Sequence, residues 1–168
     1  VVDTYMVEYR GAPTAAITYE EILDEAIFNC PNRNPNEVDQ ELLEKLISIE
    51  KKYKVPDELR GMLLSAACME SGYNPVAKGD YRIKGKRKRP MAIGILQQWP
   101  WYESKKAYNI DRKDPMQAAD AWMAHIIKQL KKVKKLCKFR TAERIWKAAW
   151  VTAIRYPKAG GRCKESPN

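Results

Sequence analysis

The chain has 168 residues, of which 45% are hydrophobic and 31% charged, a balance typical of a globular domain with a packed core. Five Trp and nine Tyr argue against a disordered chain, because so many large rings would have to stay solvated. No apolar run approaches the ~20 residues that a membrane-spanning helix needs. We therefore expect one main domain without a transmembrane segment.

The charge is unevenly distributed along the chain. Lys and Arg number 31 against 21 Asp and Glu, which gives a net charge of +10. Residues 1–50 carry 11 acidic and 3 basic side chains, whereas residues 51–168 carry 10 acidic and 28 basic ones. The basic part favours an anionic partner, such as nucleic acid, a membrane surface or an acidic wall polymer. A lysine-rich solvated surface is the alternative.

Helical periodicity dominates the pattern of apolar residues, and strand-like alternation is nowhere sustained, so the predicted fold is mainly α. Thr18 and Glu21 form a capping box that opens a first helix, ending at about Asn29. Further helices are predicted over 37–53, from Asp57 to about Ser71, and over 101–108, 115–137 and 141–155. The stretch 72–90 contains the basic run 84–89 and is predicted to be a long loop, with at most a short β-hairpin.

The four cysteines and the single histidine argue against a metal site. Cys30, Cys68, Cys137 and Cys163 contain no closely spaced pair, and only His125 could join them as a zinc ligand. Widely spaced cysteines in an even number suit two disulfides in an exported protein, and we predict Cys30–Cys68 and Cys137–Cys163. Four buried free thiols are the alternative. The chain begins at Val1 without a signal peptide, so we expect a processed product that is periplasmic or secreted.

The third predicted helix carries an acidic side chain in line with its apolar residues. The apolar positions follow the i, i+3, i+4, i+7, i+8 spacing of one buried face, and they are Leu59, Met62, Leu63, Ala66 and Ala67. The next position in this series is Glu70. Burial and the negative end of the helix both disfavour a carboxylate, so we expect a raised pKa that suits a general acid. The alternatives are a solvent-exposed Glu at the helix end and a buried ion pair with an Arg.

Three short motifs follow Glu70 in order. The first is Glu70-Ser71-Gly72-Tyr73-Asn74-Pro75-x-Ala77, the second is Gly94-Ile95-Leu96-Gln97, and the third is the helix start Asp114-Pro115. This ordered set resembles the catalytic domain of the soluble lytic transglycosylases, relatives of goose-type lysozyme, over about residues 55–160. The resemblance implies a lysozyme-like helical domain with a substrate cleft over 55–168. The acidic segment 1–54 is then expected to be a helical layer packed on the same domain.

The resemblance implies a monomeric enzyme that cuts the β-1,4 bond between N-acetylmuramic acid and N-acetylglucosamine in peptidoglycan, without metal or cofactor. By it, Glu70 protonates the leaving oxygen, the muramyl 6-hydroxyl attacks, and the same Glu then serves as base. A hydrolytic lysozyme is the alternative, in which Asp80 would hold the attacking water. Asp80 as an exposed turn residue is the simpler interpretation of that position.

The resemblance also suggests substrate contacts. Ser71 would orient the acid or the substrate, and the segment from Gly94 would form the cleft floor, where a glycine lets a sugar approach the backbone. The expected substrate-binding residues are Ser71, Tyr73, Gly94, Ile95, Leu96, Gln97, Gln98, Trp99 and Tyr156. Ile95 and Leu96 as core residues are the alternative to a cleft role. Tyr156 is followed by Pro157 where the family has Asn, and Trp150 offers a second alignment for the family's tyrosine.

Aromatic and basic side chains leave further interpretations open. Trp99, Trp101 and Tyr102 could form a platform for sugar rings, and we expect only one of the three at the substrate. A basic helical module that binds nucleic acid, or a wall-binding protein without activity, are the non-enzymatic alternatives. Nucleic-acid binding gives neither Glu70 nor the segment from Gly94 a purpose, so we expect peptidoglycan rather than nucleic acid as the partner.

Overall fold

The computed structural model describes residues 17–138, 141–154 and 163. Within them the protein is mainly helical with one small antiparallel sheet. In chain order the helices and strands are α1 (Tyr19–Phe28), α2 (Gln40–Lys51), α3 (Met62–Ser71), β1 (Lys78–Lys84), β2 (Arg87–Ile93), α4 (Pro115–Leu136) and α5 (Ala142–Ile154). Short 3₁₀ turns lie at Pro35–Glu37, Asp57–Leu59 and Pro100–Glu103.

Local capping signals locate two helix starts. The Thr18 hydroxyl accepts the Glu21 N–H at 3.2 Å and donates to the Glu21 carboxylate, so the predicted capping box opens α1. Asp114 caps α4 by accepting the N–H of Met116 at 2.9 Å and of Gln117 at 3.3 Å. Both helices end within one or two residues of the predicted positions.

One predicted helix begins later than expected, although it ends at Ser71 as predicted, and another predicted helix does not form. The helix expected from Asp57 onward is interrupted, because the 3₁₀ turn Asp57–Leu59 ends at Arg60, and Gly61 then adopts φ +87° before α3 begins at Met62. The helix expected over 101–108 is only the 3₁₀ turn Pro100–Glu103 followed by turns. There the carbonyl of Ser104 accepts the N–H groups of both residues 107 and 109, which closes turns instead of extending a helix.

Helix α3 lies in the middle of the core. It packs against α1 and α2, and α2 in turn packs against α4, which pairs with α5. A single cluster of buried side chains extends from Ile22 in α1 to Val151 in α5. Where α4 meets α5, the indoles of Trp122 and Trp150 pack edge to face with ring centroids 5.9 Å apart. Residues of the acidic first segment therefore share one core with the rest of the chain.

The stretch predicted as a loop with at most a short hairpin forms a hairpin of two seven-residue strands. Lys78 pairs with Ile93 at its base and Lys84 with Arg87 at its tip. Two residues join the strands, and Gly85 at the first of these positions has φ +64°, as a type II′ turn requires. The hairpin leaves the core just after α3 and returns to it just before the segment that begins at Gly94.

Two disulfides join distant parts of the chain in the predicted pairing. Cys30, after α1, is bonded to Cys68 in α3, and Cys137, after α4, is bonded to Cys163. The first of them fixes α3 one turn before its end. Across the residues that the structure describes, every helix is too short or too polar to cross a bilayer.

Candidate functional site

Glu70 lies in the last turn of α3 and is partly buried. The expectation of a single apolar face that starts at Leu59 is wrong, because Leu59 belongs to a separate 3₁₀ turn. Helix α3 is instead surrounded by core on most sides, with Met62, Leu63, Leu64, Ala66 and Ala67 buried. Glu70 is therefore held at the end of a buried helix, where the helix leaves the core.

The end of α3 is covered by an arginine from the acidic first segment. Gly72 terminates the helix with φ +59°, and its N–H donates to the Cys68 carbonyl at 2.8 Å. A Cβ atom at Gly72 would lie 2.8 Å from Cδ of Arg33. The guanidinium of Arg33 thus lies near the negative end of the helix that carries Glu70, where a cation is favourable. Nothing in the sequence pointed to this arginine.

Ser71 connects α3 to the segment that begins at Gly94. Its hydroxyl donates to the Ile95 carbonyl at 2.7 Å and accepts the Asn74 N–H at 3.1 Å. Ser71 therefore fixes the position of the residue after Glu70 relative to a loop that lies 24 residues further along the chain. This role is positional, and the same hydroxyl has little hydrogen-bonding capacity left for a substrate.

The segment from Gly94 is packed into the protein on the side expected to face a sugar. A Cβ atom at Gly94, where φ is +94°, would lie 2.1 Å from the Arg112 carbonyl oxygen. The glycine is therefore required by a close approach of protein backbone, and the expectation that it admits a sugar is wrong. Ile95 and Leu96 are 0% and 4% exposed, so they fill the core, as the alternative interpretation had it.

Gln97 turns its side-chain amide inward. The Nε2 group donates to the carbonyls of Ala77 at 3.1 Å and Gly94 at 3.0 Å, and a Cβ atom at Gly79 would clash with Oε1. Both amide protons are used, so Gln97 is not the free donor to a sugar that the sequence suggested. The side chain instead joins the base of the hairpin to the loop held by Ser71.

Two further expected contacts with substrate are also wrong. Tyr73 is 5% exposed, and its hydroxyl donates to the Ala26 carbonyl in α1 at 2.8 Å. Gln98 is 3% exposed, and its Nε2 donates to the Ala118 carbonyl in α4 at 2.9 Å. Both side chains connect the loops around Glu70 to the neighbouring helices, because a buried polar group needs a partner inside the protein.

Asp80 and Trp99 lie together on the outer side of this region. Asp80 is exposed on β1 with φ +48°, and its Oδ2 accepts the Trp99 indole N–H at 3.4 Å. The guanidinium of Arg82 lies 5.2 Å from the centroid of the Trp99 ring. Trp99 is half-buried and so keeps part of its ring accessible. Asp80 is thus exposed and Trp99 partly exposed, and the two side chains lie beside each other on this side of the region.

Trp101 and Tyr102 belong to a different cluster. Their rings pack with Tyr108 and His125, with centroids 5.0 to 5.8 Å apart. The Tyr108 hydroxyl lies 3.0 Å from His125 Nδ1, and burial together with two nearby lysines lowers the pKa of His125 to about 4. Trp99 is therefore separated from Trp101 and Tyr102, and which of the three lies beside a substrate stays a prediction.

Two residues near the C-terminus were candidates for the tyrosine of the resembling family. Tyr156 lies outside the described residues. Trp150, its alternative, is 0% exposed and packs against Trp122, which makes it part of the core.

Sequence reasoning missed the buried Arg112. This side chain is 5% exposed and donates to the carbonyls of Met91 at 2.7 Å and Gln98 at 2.8 Å, while its Nε pairs with the Glu103 carboxylate at 2.7 Å. Arg112 thereby clamps the end of the hairpin to the loop behind Gly94. In the sequence it lies between charged residues and has no apolar spacing around it, so no signal could have found it.

The second missed residue, Glu50, did carry a signal. It follows Leu43, Leu46 and Ile47 at the same i, i+3, i+4, i+7 spacing that singled out Glu70. Glu50 is 1% exposed, and its carboxylate accepts the N–H groups of Gly61 at 2.9 Å and Leu63 at 3.0 Å, which start α3. Burial raises its pKa despite these hydrogen bonds.

Of Glu50 and Glu70, the more deeply buried carboxylate is that of Glu50, and it caps a helix. Gly61, the residue before α3, has no side chain to cap the helix, and Glu50 supplies the acceptor from α2 instead. Glu50 holds the start of the helix whose end carries Glu70. Among the carboxylates on apolar spacings, Glu70 is the one that reaches the surface.

The described part of the chain contains no group of three or more His, Cys, Asp or Glu side chains arranged to hold a metal ion. No family model matches this chain, and neither a curated protein nor a solved structure matches it significantly. What the site does has to follow from its own geometry and chemistry.

Proposed function

We propose that the protein is a peptidoglycan-cleaving glycosidase with a lysozyme-like helical fold, and that Glu70 is its general acid. The observation that carries this proposal is the position of Glu70. It is partly buried in the last turn of a helix that the core surrounds, next to Ser71, whose hydroxyl fixes the loop from Gly94 at 2.7 Å. A general acid needs such a fixed, partly desolvated carboxyl group.

The surroundings of Glu70 support a rigid site. The Cys30–Cys68 disulfide fixes α3 near its end, Glu50 caps its start, and Arg112 holds the loop behind Gly94. Catalysis requires that a proton donor be held to within about 0.5 Å of its productive position, and contacts of this kind supply that rigidity. The exposed part of Trp99 offers an aromatic surface for a sugar ring next to this region.

The reaction follows from a single carboxylic acid. The Glu70 carboxyl donates its proton to the oxygen that links the muramyl C1 to the next sugar, and the C1–O bond breaks with its electron pair going to that oxygen. The muramyl 6-hydroxyl then bonds to C1, and its proton passes to the Glu70 carboxylate. The acid is regenerated, and the product carries a 1,6-anhydro end.

Hydrolysis of the same bond at the same site is the second candidate reaction, and the position of Asp80 is the observation that favours it. Asp80 is exposed on β1 beside Trp99, so its carboxylate could hold a water for attack on C1 from outside the core. Glycosidases that use water in this way place two carboxyl groups on opposite sides of the bond. The product would then be heavier by one water than that of the transglycosylase.

The two disulfides support export, since such bonds persist in oxidising compartments. The net charge of +10 supports attraction to the anionic bacterial wall.

The test is the substitution Glu70→Gln, assayed by release of soluble muropeptides from purified peptidoglycan. Loss of a general acid should lower the rate at least about 100-fold. Glu41→Gln is the matched control, because Glu41 is exposed on α2 and its carboxylate pairs with the likewise exposed Lys45. Full activity of the Glu70→Gln protein, with an unchanged melting temperature, would refute the proposal.

Mass spectrometry of the products separates the two reactions. Anhydro products, together with an active Asp80→Asn variant, would establish the transglycosylase. Hydrated products, together with loss of activity in Asp80→Asn, would establish the lysozyme.

A further inference from the structure

The outer part of the hairpin, residues 81–90, projects away from the hydrophobic core. The side chains of Tyr81 and Ile83 are 50% and 78% exposed, and those from Arg87 to Arg89 are exposed as well. A two-stranded hairpin by itself is at best marginally stable in water. We call residues 81–90 the ribbon.

The pairing within the ribbon places like charges opposite each other. Arg82 is the cross-strand partner of Arg89. Like charges directly opposite each other destabilise an antiparallel pair. Since side chains alternate between the two sides of a strand, Arg82, Arg87 and Arg89 project from one face of the ribbon. We call these three residues the arginine face.

The arginine face keeps its charge in the described part of the chain. No Asp or Glu there forms an ion pair with Arg82, Arg87 or Arg89. The guanidinium of Arg82 lies 5.2 Å from the centroid of the Trp99 ring, and the ammonium of Lys88 lies 5.5 Å from that of Tyr81. An aromatic ring orients a cation without neutralising it. The arginine face thus presents a row of exposed positive charges, of which Arg82 is oriented by the Trp99 ring.

The base of the ribbon is joined to the surroundings of Glu70. Ala77, the residue before β1, accepts the N–H of Gly94 at 2.9 Å and the side-chain amide of Gln97 at 3.1 Å. Trp99, which contacts Arg82, lies two residues after Gln97. A strand of seven residues extends about 23 Å from that base, so a polymer bound near Glu70 can also reach the ribbon.

We propose that the arginine face binds the carboxylates of the stem peptides on the peptidoglycan strand that is being cleaved. This inference rests on the proposed function. Arginine binds carboxylates through two parallel N–H···O bonds, which suits free carboxyl groups spaced along a chain. Nucleic acid is less favoured as the ligand, because the ribbon is anchored to the loops around Glu70 and not to an independent basic surface.

The test measures binding without cleavage. In a Glu70→Gln background, the triple variant R82Q/R87Q/R89Q is sedimented with insoluble peptidoglycan at increasing salt. The control K131Q/K134Q/K135Q removes the same charge from exposed positions of α4. We expect the arginine triple to bind at least 10-fold more weakly than the parent, and the lysine triple to bind as the parent does. The double variant R87Q/R89Q, which leaves the Arg82–Trp99 contact intact, should show most of the loss.

A second experiment removes the stem peptides, which carry the carboxylates that the arginine face is proposed to bind. Soluble glycan chains stripped of stem peptides by an amidase should bind the parent and the arginine triple equally, as measured by fluorescence anisotropy. The proposal is overturned if the arginine triple binds intact peptidoglycan as tightly as the parent. It is equally overturned if the arginine triple still binds more weakly than the parent to peptide-free glycan, or if the two proteins bind equally once only phosphate polymers have been removed from the wall. It is also overturned if the two proteins differ only in their binding to duplex DNA.

Failure of the proposed function gives a different result. A protein with Glu70 intact that releases nothing from either substrate refutes the glycosidase, whereas the sedimentation of the Glu70→Gln variants reports on the arginine face alone.

Discussion

Glu50 tests how the candidate site is supported, because its carboxylate lies at the other end of the helix that carries Glu70. The substitution Glu50→Gln keeps the size of the side chain and removes its charge. The carboxylate accepts the backbone N–H groups of Gly61 at 2.9 Å and Leu63 at 3.0 Å, one through each oxygen. An amide has a single oxygen, so one of these two buried donors loses its acceptor.

The expected cost follows from these two hydrogen bonds. A buried donor without a partner destabilises the folded state by about 1–3 kcal/mol, and loss of negative charge at a helix N-terminus adds about 0.3–1 kcal/mol. Relief from burying an ionised group offsets part of this, since burial raises the pKa of Glu50. We expect a net loss of about 2 kcal/mol in the free energy of unfolding, or a melting temperature about 4–8 °C lower for a chain of this length.

The assay is thermal unfolding followed by circular dichroism, with urea unfolding as a second measure. Glu41→Gln again serves as the control, because it removes an exposed carboxylate from the first turn of the same helix and should change stability by no more than about 1 kcal/mol. Equal melting temperatures for the Glu50→Gln and Glu41→Gln proteins would refute the assignment of Glu50 as the cap of α3.

Two further predictions concern the loop behind the site and the aromatic cluster. Gly94→Ala should lower the free energy of unfolding by about 3 kcal/mol, because of strain at φ +94° and the clash with the Arg112 carbonyl. Gly85→Ala is the control, because a Cβ atom there meets nothing within 4 Å, and it should lower the free energy of unfolding clearly less in urea. Equal losses for the two variants would contradict this packing. The pKa of His125 is about 4 in the folded protein and about 6.5 in the unfolded chain, so the unfolded chain takes up the proton at the higher pH. The free energy of unfolding should therefore fall as the pH drops from 6.5 to 4, by about 1–2 kcal/mol after solvent screening. His125→Gln should flatten this part of the urea midpoint profile, and an unchanged slope would show that His125 does not contribute.

Residues that act on their own neighbours were the ones that could be predicted. The Thr18 capping box and the Asp114 cap each involve a side chain and an N–H group two or three residues away, so the pattern and the contact are both local. The two disulfides were selected from only three possible pairings. The position of Glu70 at the end of a buried helix likewise followed from local spacing. The single apolar face from Leu59 onward was wrong, however, because Leu59 lies outside α3.

Most expected substrate contacts failed for a shared physical reason. Tyr73, Gly94, Gln97 and Gln98 are polar or flexible positions near Glu70, and the sequence suggested that they face a ligand. In the fold their hydrogen bonds and close approaches are made to Ala26, Ala77, Arg112 and Ala118. Loops around a site contain many backbone groups that need partners, and nearby polar side chains satisfy them first.

The spacing of apolar residues shows where a carboxylate can enter the core and not what it does there. Glu50 and Glu70 satisfy the same spacing, yet one is fully buried as a cap and the other is partly exposed at a helix end. The difference depends on which helix start lies opposite each side chain, and that start comes from a part of the chain 11 to 13 residues away.

The amino-acid sequence by itself determined the helical class, the caps, the disulfide-forming cysteines and the acidic residue at the end of α3, because each depends on short-range spacing or on a count of residues. Only the tertiary structure decided that Glu50 is buried, that Gly94 faces Arg112, and that the basic run 84–89 becomes an exposed ribbon with arginines on one face. These outcomes depend on which surfaces meet across distant segments, and hydrophobic packing selects that arrangement for the chain as a whole.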